Sequence, residues 1–297
     1  MKIARIKFED KVYLSRIEDT SAFIIAEESH HPRADVFIES VTAGIDWLSD
    51  KWEVPLNSVK LLAPLVRPGK IVAIGQNYLD HAHESGAEAP EFPIAFDKAI
   101  TSIIGDGDTI SYRRDQSVQV DYEAELAVVI GRRARNVPES DANDYLFGYT
   151  VCNDVSARDA QFADGQWFRG KSFDTFAPLG PWIVTRDSVE NAQDLQIRSW
   201  INCQLLQDGN TEEMIFGIAK IISYLSHSMT LEPGDIITTG TPVGVGFARV
   251  PPIFLEDGDL VTVEVSQIGR LENRVKVDAN IDEVEKESDV GVLRGTV

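Results

Sequence analysis

The stretch Asp121-Tyr-Glu-Ala-Glu-Leu-Ala-Val-Val-Ile-Gly131 decides how the rest of the chain is interpreted. Its second half, Leu126 to Ile130, is a continuous apolar run that ends at a glycine, which predicts a buried strand. Its first half carries three carboxylates, Asp121, Glu123 and Glu125. Because residues two apart in a strand point to the same face, we expect these acids in one row, roughly 7 Å apart. Such a row favours a divalent cation with oxygen ligands, although an edge strand with one solvated acidic face would show the same pattern.

The composition is that of a soluble globular protein with a strong acidic excess. Its 297 residues include 48 acidic and 28 basic side chains, and the formal net charge is −20. That charge argues against a nucleic-acid partner and against an anionic membrane surface. The two cysteines, Cys152 and Cys203, form no disulfide framework, the first residues lack a signal-peptide core, and no apolar run approaches transmembrane length. We therefore expect a cytoplasmic protein that does not contact membranes.

The chain is predicted to divide into three parts. Residues 1–65 are expected to form a small, β-rich N-terminal domain, because they hold short strand-like runs and no cluster of catalytic residue types. The segment Pro64–Lys70 carries two prolines and a glycine and predicts a boundary turn. Residues 66–278 are expected to form the catalytic domain, and residues 279–297 an acidic C-terminal tail.

The N-terminal part shows three apolar runs and one less regular segment. The runs Ile3–Phe8, Val12–Ile17 and Phe23–Ile25 predict strands. The spacing in Val36–Leu48 is mixed and fits a short helix. The adjacent His30 and His31 lie in a polar stretch, so we interpret them as solvated rather than metal-binding.

A second buried strand is predicted over Tyr145–Cys152, with another carboxylate, Asp154, directly after it. Ser156 and Asp159 are spaced as in a helix-capping box. The short helix that this box would open presents Arg158 and Gln161 near Asp154.

Further along, a hairpin and the one long helix are predicted. The sequence Gln207-Asp-Gly-Asn210 is a hairpin turn signal. Asn210 and Glu213 have the spacing of a capping box, and the apolar periodicity that follows predicts a helix over Thr211–Ser226. The glycine-rich stretch Gly240–Gly246 lacks the Lys-Ser/Thr of a phosphate-binding loop, and its glycines would instead let the backbone approach a ligand.

The segment Gln76–Gly86 is short, polar and bounded by glycine, which suits a mobile lid. Asn77 has a residue type that caps helices, and Gly86 marks a helix end. On that helix His81 and Glu84 are three apart and share a face. A carboxylate holding an imidazole orients a general base, but a surface ion pair has the same spacing.

Five motifs, in this order along the chain, resemble the fumarylacetoacetate hydrolase family. They are Asn-Tyr-Leu-Asp-His (77–81), Asp-Tyr-Glu-Ala-Glu-Leu-Ala-Val-Val-Ile-Gly (121–131), Asn-Asp-Val-Ser-Ala-Arg-Asp (153–159), Gly-Lys-Ser-Phe-Asp-Thr-Phe (170–176) and Thr-Gly-Thr-Pro-Val-Gly-Val-Gly (239–246). The resemblance covers about residues 64–275. The stretch Pro251–Leu255 makes the chain most similar to the acylpyruvate hydrolase-like branch, which has a short extra N-terminal domain.

The resemblance implies an α+β, predominantly β fold, with mixed, rolled sheets around a divalent metal site. It implies Mg²⁺ or Mn²⁺ as the metal, with Ca²⁺ as a crystallographic substitute, a homodimer, and a small anionic 2-oxo acid as the substrate. The family's namesake carries a further aspartate ligand just before the lid. This chain has Gly75-Gln76 there, which weakens any transfer of the namesake's own activity.

The resemblance also assigns roles to single residues. It implies Glu123, Glu125 and Asp154 as metal ligands, and His81, Glu84 and Lys171 as catalytic residues. It implies that four further residues bind the substrate, namely Tyr78, Arg158, Gln161 and Thr241.

The reaction that these residues perform is open at this point. A metal-stabilised enolate leads to C–C bond hydrolysis of an acylpyruvate if the lid dyad adds water, and the branch resemblance favours this outcome. The alternatives are oxaloacetate decarboxylation and tautomerisation or isomerisation of the 2-hydroxymuconate or oxoheptenedioate type. A non-catalytic metal-binding protein is the alternative of another class, and the presence of His81, Glu84 and Lys171 argues against it.

Overall fold

The computed structural model describes residues 1–28, 38 and 51–279. The pair His30-His31, the helix predicted over Val36–Leu48 (apart from residue 38) and the acidic tail after residue 279 lie outside the described residues.

The described residues are mostly β. The strands are β1 (Lys2–Phe8), β2 (Lys11–Glu18), β3 (Ser21–Glu27), β4 (Trp52–Pro55), β5 (Lys60–Leu62), β6 (Ile71–Gly75), β7 (Ile94–Lys98), β8 (Ile103–Ile104), β9 (Thr109–Arg113), β10 (Val120–Asp121), β11 (Ala124–Ile130), β12 (Leu146–Asn153), β13 (Ser156–Ala157), β14 (Ala177–Thr185), β15 (Gln196–Ile201), β16 (Gln204–Asn210), β17 (Ile236–Thr238), β18 (Leu260–Val265) and β19 (Gly269–Asp278).

Helices are few and short in the described part of the chain. The α-helices are α1 (Leu79–Glu84), α2 (Arg158–Ala163) and α3 (Ile218–Ser228), and the 3₁₀ turns are Leu56–Ser58, Ile100–Ser102, Glu139–Tyr145, Arg186–Ser188 and Thr211–Glu213. None of the described helices is both long and apolar enough to cross a membrane.

The strands form two large sheets and one small ribbon. The larger sheet has twelve strands in the order β4-β3-β2-β1-β14-β12-β11-β17-β6-β7, with β5 beside β1 and β8 beside β14. The second sheet has the order β16-β15-β18-β19-β9, and β10 pairs with β13. Most neighbours are antiparallel, but β17 with β6, β14 with β8 and β19 with β9 are parallel. The prediction of a predominantly β fold with mixed sheets is confirmed.

The N-terminal strands continue the larger sheet. β1 pairs antiparallel with β14, with Lys2 opposite Val184. Arg5 on β1 is buried; its Nε lies 2.8 Å from Glu28 Oε2, and its Nη1 donates to the carbonyl of Ala63. The proposed domain limits at residues 65 and 278 stay predictions.

The quoted acidic stretch is not one strand. β11 is buried along its whole length between β12 and β17, as its apolar run predicts. The chain breaks from strand geometry at residues 122–123, so Asp121 belongs to β10 and pairs with Ser156 of β13. The expectation of three acids in one continuous strand is therefore wrong, because Asp121 lies on β10, Glu123 lies between the strands, and of the three acids Glu125 lies on β11. The Asp121 carboxylate accepts a hydrogen bond from the next residue, Tyr122 N, at 2.8 Å, which is a turn contact rather than a strand contact.

The hairpin turn predicted over Gln207–Asn210 is also wrong. That stretch lies inside β16, and the chain turns instead at Asn202-Cys203, where both residues have left-handed φ values of 49° and 70°. A buried partner explains the difference. The Gln207 side chain donates to Thr241 Oγ1 at 2.7 Å and to the Pro242 carbonyl at 2.9 Å, and these contacts hold the segment extended beside the glycine-rich stretch.

The long helix begins later than the capping box predicts. The box of Asn210 and Glu213 is present, but it opens only the 3₁₀ turn Thr211–Glu213, and α3 starts at Ile218. The segment between them is held by Asn77, whose carbonyl accepts from Ile215 N at 2.7 Å. A long-range contact therefore interrupts the local helical pattern.

The second capping box, Ser156 with Asp159, does not form. Ser156 Oγ donates to the Asp154 carbonyl at 2.9 Å, and Asp159 accepts from Ser117 Oγ at 2.7 Å and from Val118 N at 2.9 Å. The Asp159 side chain thus holds the loop between β9 and β10, and the Ser156 side chain holds the backbone at Asp154, directly after β12. The start of α2 has no side-chain cap.

Asn77 is not a helix cap either, because it joins three segments around the lid. Its amide donates to the Thr239 carbonyl at 2.8 Å and to the Phe216 carbonyl at 3.0 Å, and its Oδ1 accepts from Phe216 N at 2.8 Å. The side chain is fully buried. One buried amide group thus helps to set the position of the helix α1 relative to the segments that carry Phe216 and Thr239.

Replacement of Asn77 by Ala is expected to lower the free energy of unfolding by about 2–4 kcal/mol, because buried backbone groups lose their partners. Chemical denaturation with a fluorescence readout measures this change. The exposed Asn143 is the control, and its replacement by Ala should change stability by less than about 0.5 kcal/mol. Equal effects for the two variants would contradict the role given to Asn77.

Candidate functional site

Three buried carboxylates meet where β11 and β12 lie side by side. Glu123 precedes β11, Glu125 lies on it, and Asp154 directly follows β12. The antiparallel register places Ala124 opposite Asn153, and Asp154 N donates to the Glu123 carbonyl at 2.9 Å. One oxygen from each of the three carboxylates lies within 4.8 Å of the others. Strand pairing therefore brings together acids that are distant in sequence.

Two buried lysines contact this cluster. Lys171 Nζ donates to Glu123 Oε2 at 2.6 Å and to Asp154 Oδ2 at 2.9 Å. Lys98 Nζ donates to Asp154 Oδ1 at 2.5 Å, to the Val155 carbonyl at 3.4 Å and to the Lys171 carbonyl. Burial alone would lower the pKa of Lys171, but the charges of Asp154 and Glu123 raise it, so this ammonium stays protonated. Lys98 uses three donors, whereas Lys171 uses two of its three among the described residues, so that one could serve a ligand.

Arg158 is the third buried cation. Its Nε donates to Asp121 Oδ2 at 2.9 Å, and its Nη2 lies 2.7 Å from Glu123 Oε1. Its Nη1 donates to Gln161 Oε1 at 3.0 Å. This contact fixes the orientation of the Gln161 amide, and within the described parts of the chain its NH₂ group has no hydrogen-bond partner. The amide NH₂ is therefore free to donate to an anion.

The buried charges do not balance. Four carboxylates face three cations; the carboxylates are Asp121, Glu123, Glu125 and Asp154, and the cations are Lys98, Arg158 and Lys171. Glu125 is the acid without a cationic partner among the described residues, and its Oε2 accepts only from Gly240 N at 3.0 Å. Burial, reinforced by the charges of Asp154 and Glu123, raises the pKa of Glu125 well above its ordinary value.

The pKa of Glu123 is shifted in the opposite direction from that of Glu125. Burial by itself would raise its pKa, but Lys171 and Arg158 lower the pKa of Glu123 to about 2. An oxygen-only donor set with one uncompensated charge fits a hard divalent cation such as Mg²⁺ or Mn²⁺. The residues present therefore suit the metal that the sequence resemblance implies, with Glu123, Glu125 and Asp154 as the candidate ligands.

The lid helix α1 supplies an oriented imidazole. His81 Nδ1 lies 2.8 Å from Glu84 Oε1, and both oxygens of Glu84 accept from Gly244 N at 3.0 Å. A carboxylate beside Nδ1 favours the tautomer with the proton on that nitrogen and leaves Nε2 as an acceptor. The helix α1 is thereby tied to the glycine-rich stretch through the same carboxylate that orients His81.

One cavity collects most of the predicted residues. It is lined by His81, Glu123, Glu125, Arg158, Gln161, Lys171 and Thr241, together with apolar side chains. Thr241 Oγ1 is itself occupied, because it donates to the Ala124 carbonyl at 2.9 Å and accepts from Gln207. Glu84 and Asp154 stand behind the cavity wall, in contact with His81 and Lys171 respectively.

Tyr78 is the predicted substrate-binding residue that the structure does not place in the cavity wall. Its side chain is 1% exposed and packs in the main core, and its hydroxyl has no hydrogen-bond partner among the described residues. Burial and the nearby charge of Glu125 raise its pKa well above the ordinary value for tyrosine. A direct contact with substrate stays a prediction.

Sequence reasoning missed Lys98 as a member of the cluster. Lys98 lies 56 residues from Asp154 in the chain, and no local pattern joins the two. The alternation along β7 carries the available signal, because Lys98 shares a face with Ile94 and Phe96, both of which are partly buried. A lysine on the apolar face of a strand indicates a buried acidic partner.

Replacement of Glu125 by Gln tests the charge balance. A carboxyl group whose pKa is raised in the folded state contributes stability while it is protonated, and this contribution is lost as the pH rises. The metal-free protein should thus lose stability as the pH rises above about 4.5, the ordinary value for glutamate, and the variant should be the more stable of the two at the upper end by about 1–3 kcal/mol. The stabilising contribution of Glu123 is lost only below pH 4.5, outside this window.

Thermal unfolding across that pH range, with and without Mg²⁺, checks the prediction. Mg²⁺ should stabilise the parent and not the variant, because the variant lacks one anionic ligand. Equal Mg²⁺ stabilisation of both proteins would place the ion elsewhere.

Comparison with known proteins agrees with the geometry. Residues 70–276, more than half of the chain, match the family described as fumarylacetoacetate (FAA) hydrolase C-terminal. The chain is 46% identical over 221 residues to the oxaloacetate tautomerase fahd2, mitochondrial, of Xenopus laevis, covering 74% of this chain and 69% of that protein. It is 45% identical to the oxaloacetate tautomerase YisK of Bacillus subtilis (strain 168), covering 74% of each.

A solved structure extends the likeness to the whole fold. The fumarylacetoacetate hydrolase from psychrophilic Exiguobacterium antarcticum superposes with a TM-score of 0.82 at 35% identity, covering 94% of this chain and all of that one. The matched segment includes the three clustered carboxylates and the cations that surround them. This chain belongs to the fumarylacetoacetate hydrolase family.

Proposed function

We propose that this chain is a divalent-metal-dependent enzyme that interconverts the enol and keto forms of a small 2-oxo dicarboxylic acid of the oxaloacetate type. The observation that carries the proposal is the oriented imidazole of His81 in the wall of the cavity that also exposes Glu123, Glu125 and Lys171.

The charges of the site suit a small anion. With all of its buried groups ionised, the cluster carries one negative charge, and a dication at the acidic cluster turns this into one positive charge. The free amide NH₂ of Gln161 and the unused donor of Lys171 are then available for the carboxylate and oxo oxygens of the substrate. A dication held by Glu123, Glu125 and Asp154 would supply electrostatic stabilisation of negative charge on those oxygens.

Tautomerisation needs only the movement of a proton. In the enol-to-keto direction the hydroxyl on C2 loses its proton and C3 gains one, so that no water and no oxidant is consumed. His81 Nε2 is positioned to accept or donate this proton, since Glu84 holds Nδ1. Lys171 is a poor alternative base because its pKa is raised by Asp154 and Glu123 against the effect of burial. Apart from the candidate metal ligands, His81 is thus the best-placed base among the described residues that line the cavity.

The relatives support tautomerisation over the C–C hydrolysis that the sequence analysis favoured. Two proteins named oxaloacetate tautomerases are 46% and 45% identical to this chain over about three quarters of its length. The structure named as a hydrolase is 35% identical. Hydrolysis of an acylpyruvate remains the second candidate, because the His81–Glu84 pair that moves a proton would also activate water.

Replacement of His81 by Ala should lower the turnover number for tautomerisation by roughly 10²–10⁴-fold, the usual effect of removing a general base. Mg²⁺ affinity should change by less than about threefold, because His81 is not a candidate ligand. The ultraviolet absorbance of the enol follows the tautomerisation, and calorimetry follows the metal.

His83 is the matched control, since it lies on the same helix but is exposed. Its replacement by Ala should leave turnover within about twofold of the parent. Pyruvate and carbon dioxide are quantified in the same samples, and an acylpyruvate is offered separately. A parent that cleaves the acylpyruvate or decarboxylates oxaloacetate faster than it tautomerises oxaloacetate would overturn the proposal.

A further inference from the structure

The cavity has an apolar side that the proposed chemistry does not use. Ile74, Phe96, Phe162, Trp167 and Phe247 line it beside the charged groups. A 2-oxo acid that places its carboxylate and oxo oxygens on the charged groups would direct the remainder of the molecule toward the rest of the lining, which includes these side chains and the polar Gln76 and Ser85. The space that the bulky apolar side chains leave therefore limits the size of the substituent.

Trp167 packs directly on Gly75 at the end of β6. A Cβ atom at Gly75 would lie 2.1 Å from Cζ3 and 2.8 Å from Cη2 of the indole, closer than real atoms approach. The absence of a side chain at this position is thus what allows the indole to lie where it does. Gly75 itself also lines the cavity.

Two further contacts position Trp167, one through its indole and one through its backbone. The ring of Phe96 meets the indole edge to face, with centroids 5.3 Å apart and planes at 75°. Lys171 N donates to the Trp167 carbonyl at 3.0 Å, which ties this part of the loop to the residue that contacts Glu123 and Asp154. Trp167 is therefore a fixed part of the wall, attached at one end to the charged cluster.

We propose that Trp167, seated on Gly75, is a specificity-determining residue that limits the substrate to 2-oxo acids with a short substituent on C3. This inference rests on the proposed function, because it assumes that a 2-oxo acid occupies the cavity. Oxaloacetate carries one further carboxylate on C3, whereas acylpyruvates and aryl 2-oxo acids carry bulkier groups that meet the indole.

Replacement of Trp167 by Ala should remove this limit. A single methylene changes discrimination by about 10–200-fold in a closed apolar pocket. The loss of an indole should therefore raise the affinity for phenylpyruvate relative to that for oxalate by at least about 10-fold. Oxalate has no substituent, and its affinity should change by less than about threefold. Calorimetry with the Mg²⁺-loaded protein measures both ligands without requiring turnover.

Phe168 provides the control, since it neighbours Trp167, is half exposed and does not line the cavity. Its replacement by Ala should leave the ratio within about twofold of the parent. If the Trp167→Ala protein does not fold, Trp167→Phe replaces it, and the ratio should still rise. A ratio that stays unchanged in the folded variant, with oxalate still bound, overturns the inference.

A double-mutant cycle tests the contact itself. Gly75→Ala alone should destabilise the protein, because the new methyl group would overlap with the indole. The same change made in the Trp167→Ala background should lower the free energy of unfolding much less. Additive effects would contradict the packing on which the inference depends.

The proposed function and this inference fail in different ways. A parent protein that binds oxalate but does not tautomerise oxaloacetate overturns the function, and the affinity ratio still decides the role of Trp167. A parent that binds neither oxalate nor phenylpyruvate in the presence of Mg²⁺ overturns both.

Discussion

The pairing of charges inside the protein is the constraint on which the rest of the site depends. Four carboxylates and three cationic side chains are buried together, contributed by β7, β10, β11, α2 and the residues that follow β12 and precede β14. Buried charges are tolerated only when they are paired, and removal of one partner of a buried pair costs about 3–5 kcal/mol. The folded chain must therefore maintain the register of β11 on β12 together with the positions of Arg158 and Lys171. The one acid left over, Glu125, carries the charge that a divalent cation would balance.

Two of these carboxylates, together with that of Glu84, also hold the glycine-rich stretch in place. Glu84 on the lid helix accepts from Gly244 N, Glu125 accepts from Gly240 N, and Asp121 accepts from two amides beyond them. Gly240 and Gly244 have φ values of 95° and 108°, a conformation that favours glycine. The helix α1, the acidic cluster and Arg158 thus share one backbone segment as their common support. We expect a change in the charge of one of these groups to affect the others through this stretch.

Sequence patterns predicted the parts of the structure that depend on neighbouring residues. The buried strand β11 and the contact of His81 with Glu84 follow from periods of two and of three to four residues, and the family resemblance named the acids that strand pairing brings together. Features set by long-range contacts were not predictable in this way. The Asp-Gly turn signal at 208–209 was overridden by the buried contacts of Gln207, and the start of α3 was moved by Asn77. The partnership of Lys98 with Asp154 likewise exists only in the folded chain.

We expect the buried carboxylates to bind one divalent cation directly. Crystals grown with Mn²⁺ and measured near the manganese absorption edge test this site, because anomalous scattering locates the ion without reference to the protein structure. We expect one strong peak per chain, bonded to an oxygen of each of Glu123, Glu125 and Asp154 and to no nitrogen or sulfur ligand. No peak at this position, or peaks only at exposed acidic residues, would show that these carboxylates are not a metal site.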